Sequence, residues 1–129
     1  MTSMNDSDTT LSELRELVRE FRDRRGWARF HTPKNLTMAI AVEAAELMEQ
    51  FQWLAQDEAW ELAEDAGRLK MMSEELADIL IYALSFAEAL HLDVATAIVD
   101  KLARNAKKYP EDDSRGRASW LDRIKGGEA

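Results

Sequence analysis

The chain has 129 residues, a net charge of −8 and no cysteine, which fits one domain and excludes disulfides, thiolate catalysis and Cys-based zinc or iron–sulfur sites. Hydrophobic residues make up 46% of it, and only five Gly and two Pro interrupt it, so a packed core of long helices is expected and strands have almost no support. The acidic balance argues against nucleic acid, because non-specific duplex affinity comes from Lys and Arg displacing counterions; a small anionic substrate stays open if a cation mediates the contact.

In chain order, residues 1–10 read as a polar, flexible N-terminus without the basic start or apolar centre of a signal peptide. Leu11, Leu14, Leu17, Val18 and Phe21 follow helical spacing behind Thr9 or Thr10 as N-cap, and this first helix is expected to reach about Ala28. Phe30-His31-Thr32-Pro33 breaks it, since proline disfavours a helical residue before it. A second helix begins near Lys34, carries Leu36, Ile40, Leu47, Phe51 and Leu54, and is expected to end near Trp53–Ala55. The acidic stretch 56–66 is expected as a short helical turn or a connecting loop.

A third helix runs from about Gly67 to Leu90, and its centre, Leu76 to Leu84, is apolar nearly all round. A helix of that kind is buried on most sides, which in so short a chain points to a partner subunit covering one face. Asp93 caps a fourth helix, Val94 to about Lys108, which Tyr109-Pro110 terminates. Residues 111–129 read as a tail in which Trp120, Leu121 and Ile124 can dock as a short turn. The expected fold is all-α, a four-helix-bundle core over residues 11–110 completed by oligomerisation. No run approaches the roughly 18 apolar residues of a membrane span, so a cytoplasmic protein without a membrane partner is expected.

The second and third helices each carry an acidic pair at i, i+3, Glu43 with Glu46 and Glu75 with Asp78. That spacing sends both carboxylates of a pair out of the same side of a helix. Two such helices packed face to face bring four carboxylates into a small volume, where they repel unless a cation neutralises them. Oxygen-only ligands suit Mg²⁺, or Mn²⁺, better than zinc. Acidic residues at helical spacing are more often a solvated face, and a chain with 25 Asp and Glu offers chance matches such as Glu46-x-x-Glu49. Two features favour the metal: both pairs sit in the most apolar parts of their helices, where a bare carboxylate is costly, and each continues into a ligand-like stripe, Gln50 and Trp53 after one pair and Tyr82 after the other. Trp53 lies seven residues beyond Glu46, roughly 10 Å along a helix, about the length of a nucleoside triphosphate, so it is a candidate for base stacking; plain packing is its alternative.

Lys101, Asn105 and Lys108 form an i, i+4, i+7 stripe on the fourth helix, either a solvated face near a helix C-terminus or a source of phosphate contacts. His31 stands alone in a loop. Glu88-Ala89-Leu90-His91 is an ExxH, but it occurs once, and a di-iron bundle uses two.

Taken together, Phe30-His31-Thr32-Pro33-Lys34-Asn35-Leu36, Glu43-Ala44-Ala45-Glu46-Leu47, Phe51-Gln52-Trp53, Glu75-Leu76-Ala77-Asp78-Ile79-Leu80-Ile81-Tyr82 and Lys101…Asn105…Lys108-Tyr109-Pro110 resemble the all-α nucleotide pyrophosphohydrolases of the MazG-like superfamily, in particular their dCTP pyrophosphatase branch, over roughly residues 11–110. The resemblance implies Glu43, Glu46, Glu75 and Asp78 as Mg²⁺ ligands. It implies His31, Trp53 and Asn105 around base and sugar, with Trp27 and Phe30 as further candidates, and Tyr82, Lys101 and Lys108 as sugar or phosphate contacts. It further implies a tight dimer or dimer of dimers, and hydrolysis of a nucleoside triphosphate to monophosphate and pyrophosphate by in-line attack of water at the α-phosphorus, with Glu46 as the expected base. The readings set against it are a non-catalytic helical oligomerisation or regulatory module and a related enzyme for another phosphoanhydride.

Overall fold

The computed structural model describes residues 3–111; the docking expected of Trp120, Leu121 and Ile124 lies outside them. The described residues hold five α-helices, a short 3-10 turn and no strand: α1 (Leu11–Arg24), the turn Ala28–Phe30, α2 (Pro33–Glu49), α3 (Gln56–Glu64), α4 (Ala66–Leu90) and α5 (Val94–Lys108). The chain divides into two compact units, Met1–Leu92 and Asp93–Ala129. Within the described residues, no single helix is long and apolar enough to cross a membrane.

Local chemistry starts each helix. The Thr10 hydroxyl accepts from the Glu13 N–H at 3.1 Å while the Glu13 carboxylate accepts from the Thr10 N–H at 2.9 Å, a reciprocal capping box. Thr32 caps α2 by accepting from the Asn35 N–H at 3.3 Å, with Pro33 at the first helical position, where its missing donor costs nothing. Asp65 and Asp93 do the same for α4 and α5, accepting from Arg68 N–H at 2.9 Å and Thr96 N–H at 3.0 Å.

The helix ends differ from expectation at two places. α1 stops at Arg24, short of Ala28, because Gly26 takes a left-handed φ of 64°. The Trp27 N–H then reaches the Arg22 carbonyl and the Gly26 N–H the Asp23 carbonyl, which satisfies two of the helix's last acceptors. α2 stops at Glu49, because the Gln50 and Phe51 N–H groups bond three residues back, to the Leu47 and Met48 carbonyls, and the chain leaves the helix in a series of turns. The acidic stretch expected as a turn or a loop forms the nine-residue helix α3.

In the first unit α4 is the axis. It packs along α2 over the longest stretch and also meets α1 and α3. Leu36, Met72, Leu84 and Ala87 are the buried apolar residues among those described. Many large apolar side chains stay exposed, including Met38 and Val42 of α2 and Leu76, Leu80 and Ile81 of α4. At the far end of α4, Arg15 Nε meets Glu88 Oε1 at 2.6 Å, both side chains largely buried, and Arg15 also donates to the Leu92 carbonyl. In the second unit, α5 ends with the Tyr109 N–H bonded to the Asn105 carbonyl at 2.8 Å.

Candidate active site

The long α2–α4 contact brings the two acidic pairs together. One carboxylate oxygen from each of Glu43, Glu75 and Asp78 lies within 4.8 Å of the others. Glu43 and Glu75 are half-buried and Asp78 is exposed. Glu43 Oε2 and Glu75 Oε2 are buried with no hydrogen-bond partner among the described residues, an expensive condition for a carboxylate. Burial pushes the Glu43 carboxyl up to about 7, and the facing Glu75, Glu46 and Asp78 push in the same direction. Glu46 is itself exposed, one turn along α2 from Glu43, and stands outside the tightest group of three. Orphaned, mutually repelling oxygens with no nitrogen or sulfur among them fit a hard divalent cation, so the cluster can hold a metal.

The cluster opens into a cavity of about 390 Å³ between α1, the turn after it and α4. Leu17, Val18, Phe21, Trp27 and Ile81 form its apolar wall, and Arg22, His31, Asp78, Tyr82 and Ser85 its polar positions. Asp78 belongs to both the cluster and the cavity. From it, Tyr82 and Ser85 follow at four and seven residues along α4, so the cavity extends roughly 10 Å from the carboxylates. Trp27 packs edge-on against Phe21, with ring centroids 5.7 Å apart, and lies 6.5 Å from His31. His31 is held below the usual histidine pKa, first by burial and then by the Arg22 cation, and its buried Nδ1 has no partner among the described residues.

The expected binding residues separate into three groups. His31, Trp27 and Tyr82 line the cavity. Phe30 is exposed in the 3-10 turn, with the Arg29 guanidinium 4.6 Å from its ring centroid. Trp53 is 87% exposed in the turns beyond α2 and is not among the cavity's lining residues. Since α2 ends at Glu49, the helical rise that set Trp53 about 10 Å from Glu46 does not apply to it. Lys101, Asn105 and Lys108 all stand on α5 in the second unit; Asn105 is half-buried, and Lys108 Nζ lies 5.4 Å from the Tyr109 ring centroid.

Sequence reasoning missed Arg22 and Ser85. The signal for Arg22 was its place four residues after Val18, where it continues the apolar stripe of α1 as a cation. Ser85 interrupts the apolar run of α4, and its hydroxyl donates to the Ile81 carbonyl at 2.8 Å.

The MazG-like family model matches residues 38–124. The chain is 39% identical over 115 residues to dCTP pyrophosphatase 1 of Rattus norvegicus, covering 86% of this chain and 65% of that protein. It is 36% identical over 107 residues to dCTP pyrophosphatase 1 of Homo sapiens, covering 80% and 61%. This chain therefore spans under two thirds of the length of those two relatives. Among solved structures, a pyrophosphatase from Archaeoglobus fulgidus superposes with a TM-score of 0.74 at 40% identity, covering 84% of this chain and 99% of that one. With an all-α fold, paired carboxylates on facing helices and a family match over more than half its length, the chain belongs to the MazG-like family.

Proposed function

We propose that the chain is a Mg²⁺-dependent nucleoside triphosphate pyrophosphohydrolase, with Mn²⁺ as an alternative metal, releasing a monophosphate and pyrophosphate. The observation that carries this reading is the Glu43–Glu75–Asp78 cluster, with Glu43 Oε2 and Glu75 Oε2 buried and unpartnered among the described residues, sharing Asp78 with an aromatic-walled cavity. A cation held there would neutralise phosphate oxygens and lower the pKa of a bound water. The protein's own part is to hold the triphosphate at the carboxylate end and the nucleoside in the cavity, with Trp27, His31 and Tyr82 about base and sugar. Exposed Glu46 is the base assigned to take the proton from the attacking water. Phe30, Trp53, Lys101, Asn105 and Lys108 are further proposed nucleotide contacts, on the resemblance of their motifs alone. The relatives' names support dCTP as the first substrate to try.

Exposed Leu76, Leu80 and Ile81 on α4, with Met38 and Val42 on α2, support a homodimer or dimer of dimers, because a second subunit would take these large apolar side chains out of water. A net charge of −8 supports action without nucleic acid or an anionic membrane surface as partner, and the cytoplasm is the proposed setting.

The test is product analysis of dCTP incubated with the purified protein and Mg²⁺. Monophosphate plus pyrophosphate, abolished by EDTA and by Glu46→Ala, is the expected result. No turnover of dCTP or of a panel of other nucleoside triphosphates would sink the enzyme reading and favour a helical oligomerisation module.

A further inference from the structure

Arg22 is the one cation among the lining residues of the α1–α4 cavity, and nothing in the reaction as proposed uses it. Its side chain is only 18% exposed, on a wall otherwise made largely of aliphatic and aromatic groups. A guanidinium taken that far from water needs partners. It has one in Asp23: Nε and Nη2 both lie 2.8 Å from Asp23 Oδ1. Those two donors form one edge of the planar fork. The other edge, Nη1 with the second N–H of Nη2, has no partner among the described residues and remains for a planar group with two adjacent acceptors.

Position says which part of a nucleotide that edge meets. The cation-binding carboxylates mark the phosphate end, and the cavity leaves them through Asp78 toward Tyr82 and Ser85. Arg22 stands in the same chamber as Trp27 and His31, whose buried Nδ1 lacks a partner among the described residues. A chamber walled by Leu17, Val18, Phe21, Trp27 and Ile81, with a few polar groups among them, suits a heterocyclic base.

Resting on the nucleotide reading above, we propose that Arg22, steadied by Asp23, selects the base by its edge, taking one with two adjacent hydrogen-bond acceptors. Cytosine offers such an edge at O2 and N3, and guanine at O6 and N7. Thymine and uracil place an N–H donor between their carbonyls, and adenine sets an amino group beside N7, so each turns a donor toward the fork. The cost falls on the mismatched base, because a desolvated guanidinium edge is left unpaired.

The experiment separates base selection from catalysis. Wild-type protein, Arg22→Ala and Arg22→Lys are titrated calorimetrically with dCMP, dGMP, dTMP and dAMP in EDTA, with circular dichroism and melting as checks of folding. Wild type is expected to bind dCMP or dGMP at least about tenfold more tightly than dTMP and dAMP, and the first two ligands decide between cytosine and guanine. Arg22→Ala should lose that preference while its affinity for dTMP changes less than about threefold. Arg22→Lys, which keeps charge but not the fork, should not restore it. Equal weakening for all four nucleotides, full rescue by lysine, or no preference in the wild type overturns the assignment. Failure of Arg22→Ala to fold leaves the wild-type and lysine arms to decide it. Hydrolysis of the nucleoside triphosphates by wild type, assayed separately with Mg²⁺, reports on the enzyme reading alone, so the two can fail independently.

Discussion

Glu75 and Glu88 stand on the same helix, thirteen residues apart, in opposite circumstances. Glu88 meets Arg15 at 2.6 Å, and the same arginine also ties down the Leu92 carbonyl, so the charge is matched and the chain end is fastened. Glu75 faces Glu43 and Asp78, with its Oε2 buried and without a hydrogen-bond partner among the described residues. One half of α4 is electrostatically satisfied; the other is held in repulsion by the packing of α2 along α4. Folding selects for the first condition, and the second persists only where the surrounding structure imposes it. The unsatisfied half is therefore where function is to be sought, and the satisfied half is where stability is.

That contrast can be broken by exchanging consequences between the two halves. The largest effect is expected for Asp78→Asn, which should reduce turnover more than about 100-fold, since even groups supporting a metal ligand cost 10–100-fold when lost. Its melting temperature with EDTA should match or exceed wild type, because one repelling charge is gone. Assay and thermal melt on the same preparation check both, and a lower melting temperature in EDTA would contradict the repulsion account. At the other end, Arg15→Ala should leave Glu88 part-buried and unpaired. Its cost of about 2 kcal/mol, between the values for exposed and buried pairs, is measurable by urea denaturation, and turnover by the folded fraction should be nearly unchanged.

A smaller effect sharpens the comparison by pH. With its folded pKa raised to about 7 against 4.5, Glu43 keeps a proton in the folded state that the unfolded chain releases. The metal-free protein should therefore lose stability as pH rises from about 4.5 through 7, the reverse of what a salt-bridged carboxylate does. Glu43→Gln should flatten that slope, and divalent cation should bind more tightly as pH rises through the same window. A metal-free stability that climbs with pH across this range would refute the raised pKa.

The smallest effects concern the two left-handed helix ends. His91 ends α4 at φ 55° as Gly26 ends α1 at φ 64°. His91→Gly should stabilise by up to about 1 kcal/mol, and Gly26→Ala should destabilise by about 1 kcal/mol from backbone strain alone, since the open space around Gly26 would accept the methyl group. Melts of the two variants side by side test this.

Much of the molecule is local enough to be legible from the residues alone. Thr10 and Asp93 announce two helix starts within a few residues of chain, and each side chain caps as its chemistry requires; the Thr32 cap, in a segment that reads first as a break, and the Glu13 half of the capping box emerge only with the structure. The i, i+3 pairs at Glu43/Glu46 and Glu75/Asp78 likewise follow from helical period. Where α2 stops was not legible, because no Gly or Pro marks residue 50, and that exit carries Trp53 off the helix. Nor was the role of α1, whose apolar stripe reads as plain core until the turn at Ala28–Phe30 brings Trp27 and His31 to the same chamber as Arg22.

The sequence by itself thus determined an all-α chain, the starts of the helices capped by Thr10 and Asp93, the absence of cysteine chemistry and which carboxylates share a helix face. Each depends on neighbours within a turn or two. Only the tertiary structure decided that Glu43, Glu75 and Asp78 come within 4.8 Å while Glu46 stands outside, and that an arginine lines the cavity beside them. Those depend on how α2 and α1 lie on α4, and such placement follows from packing between residues far apart in sequence, which helical period does not encode.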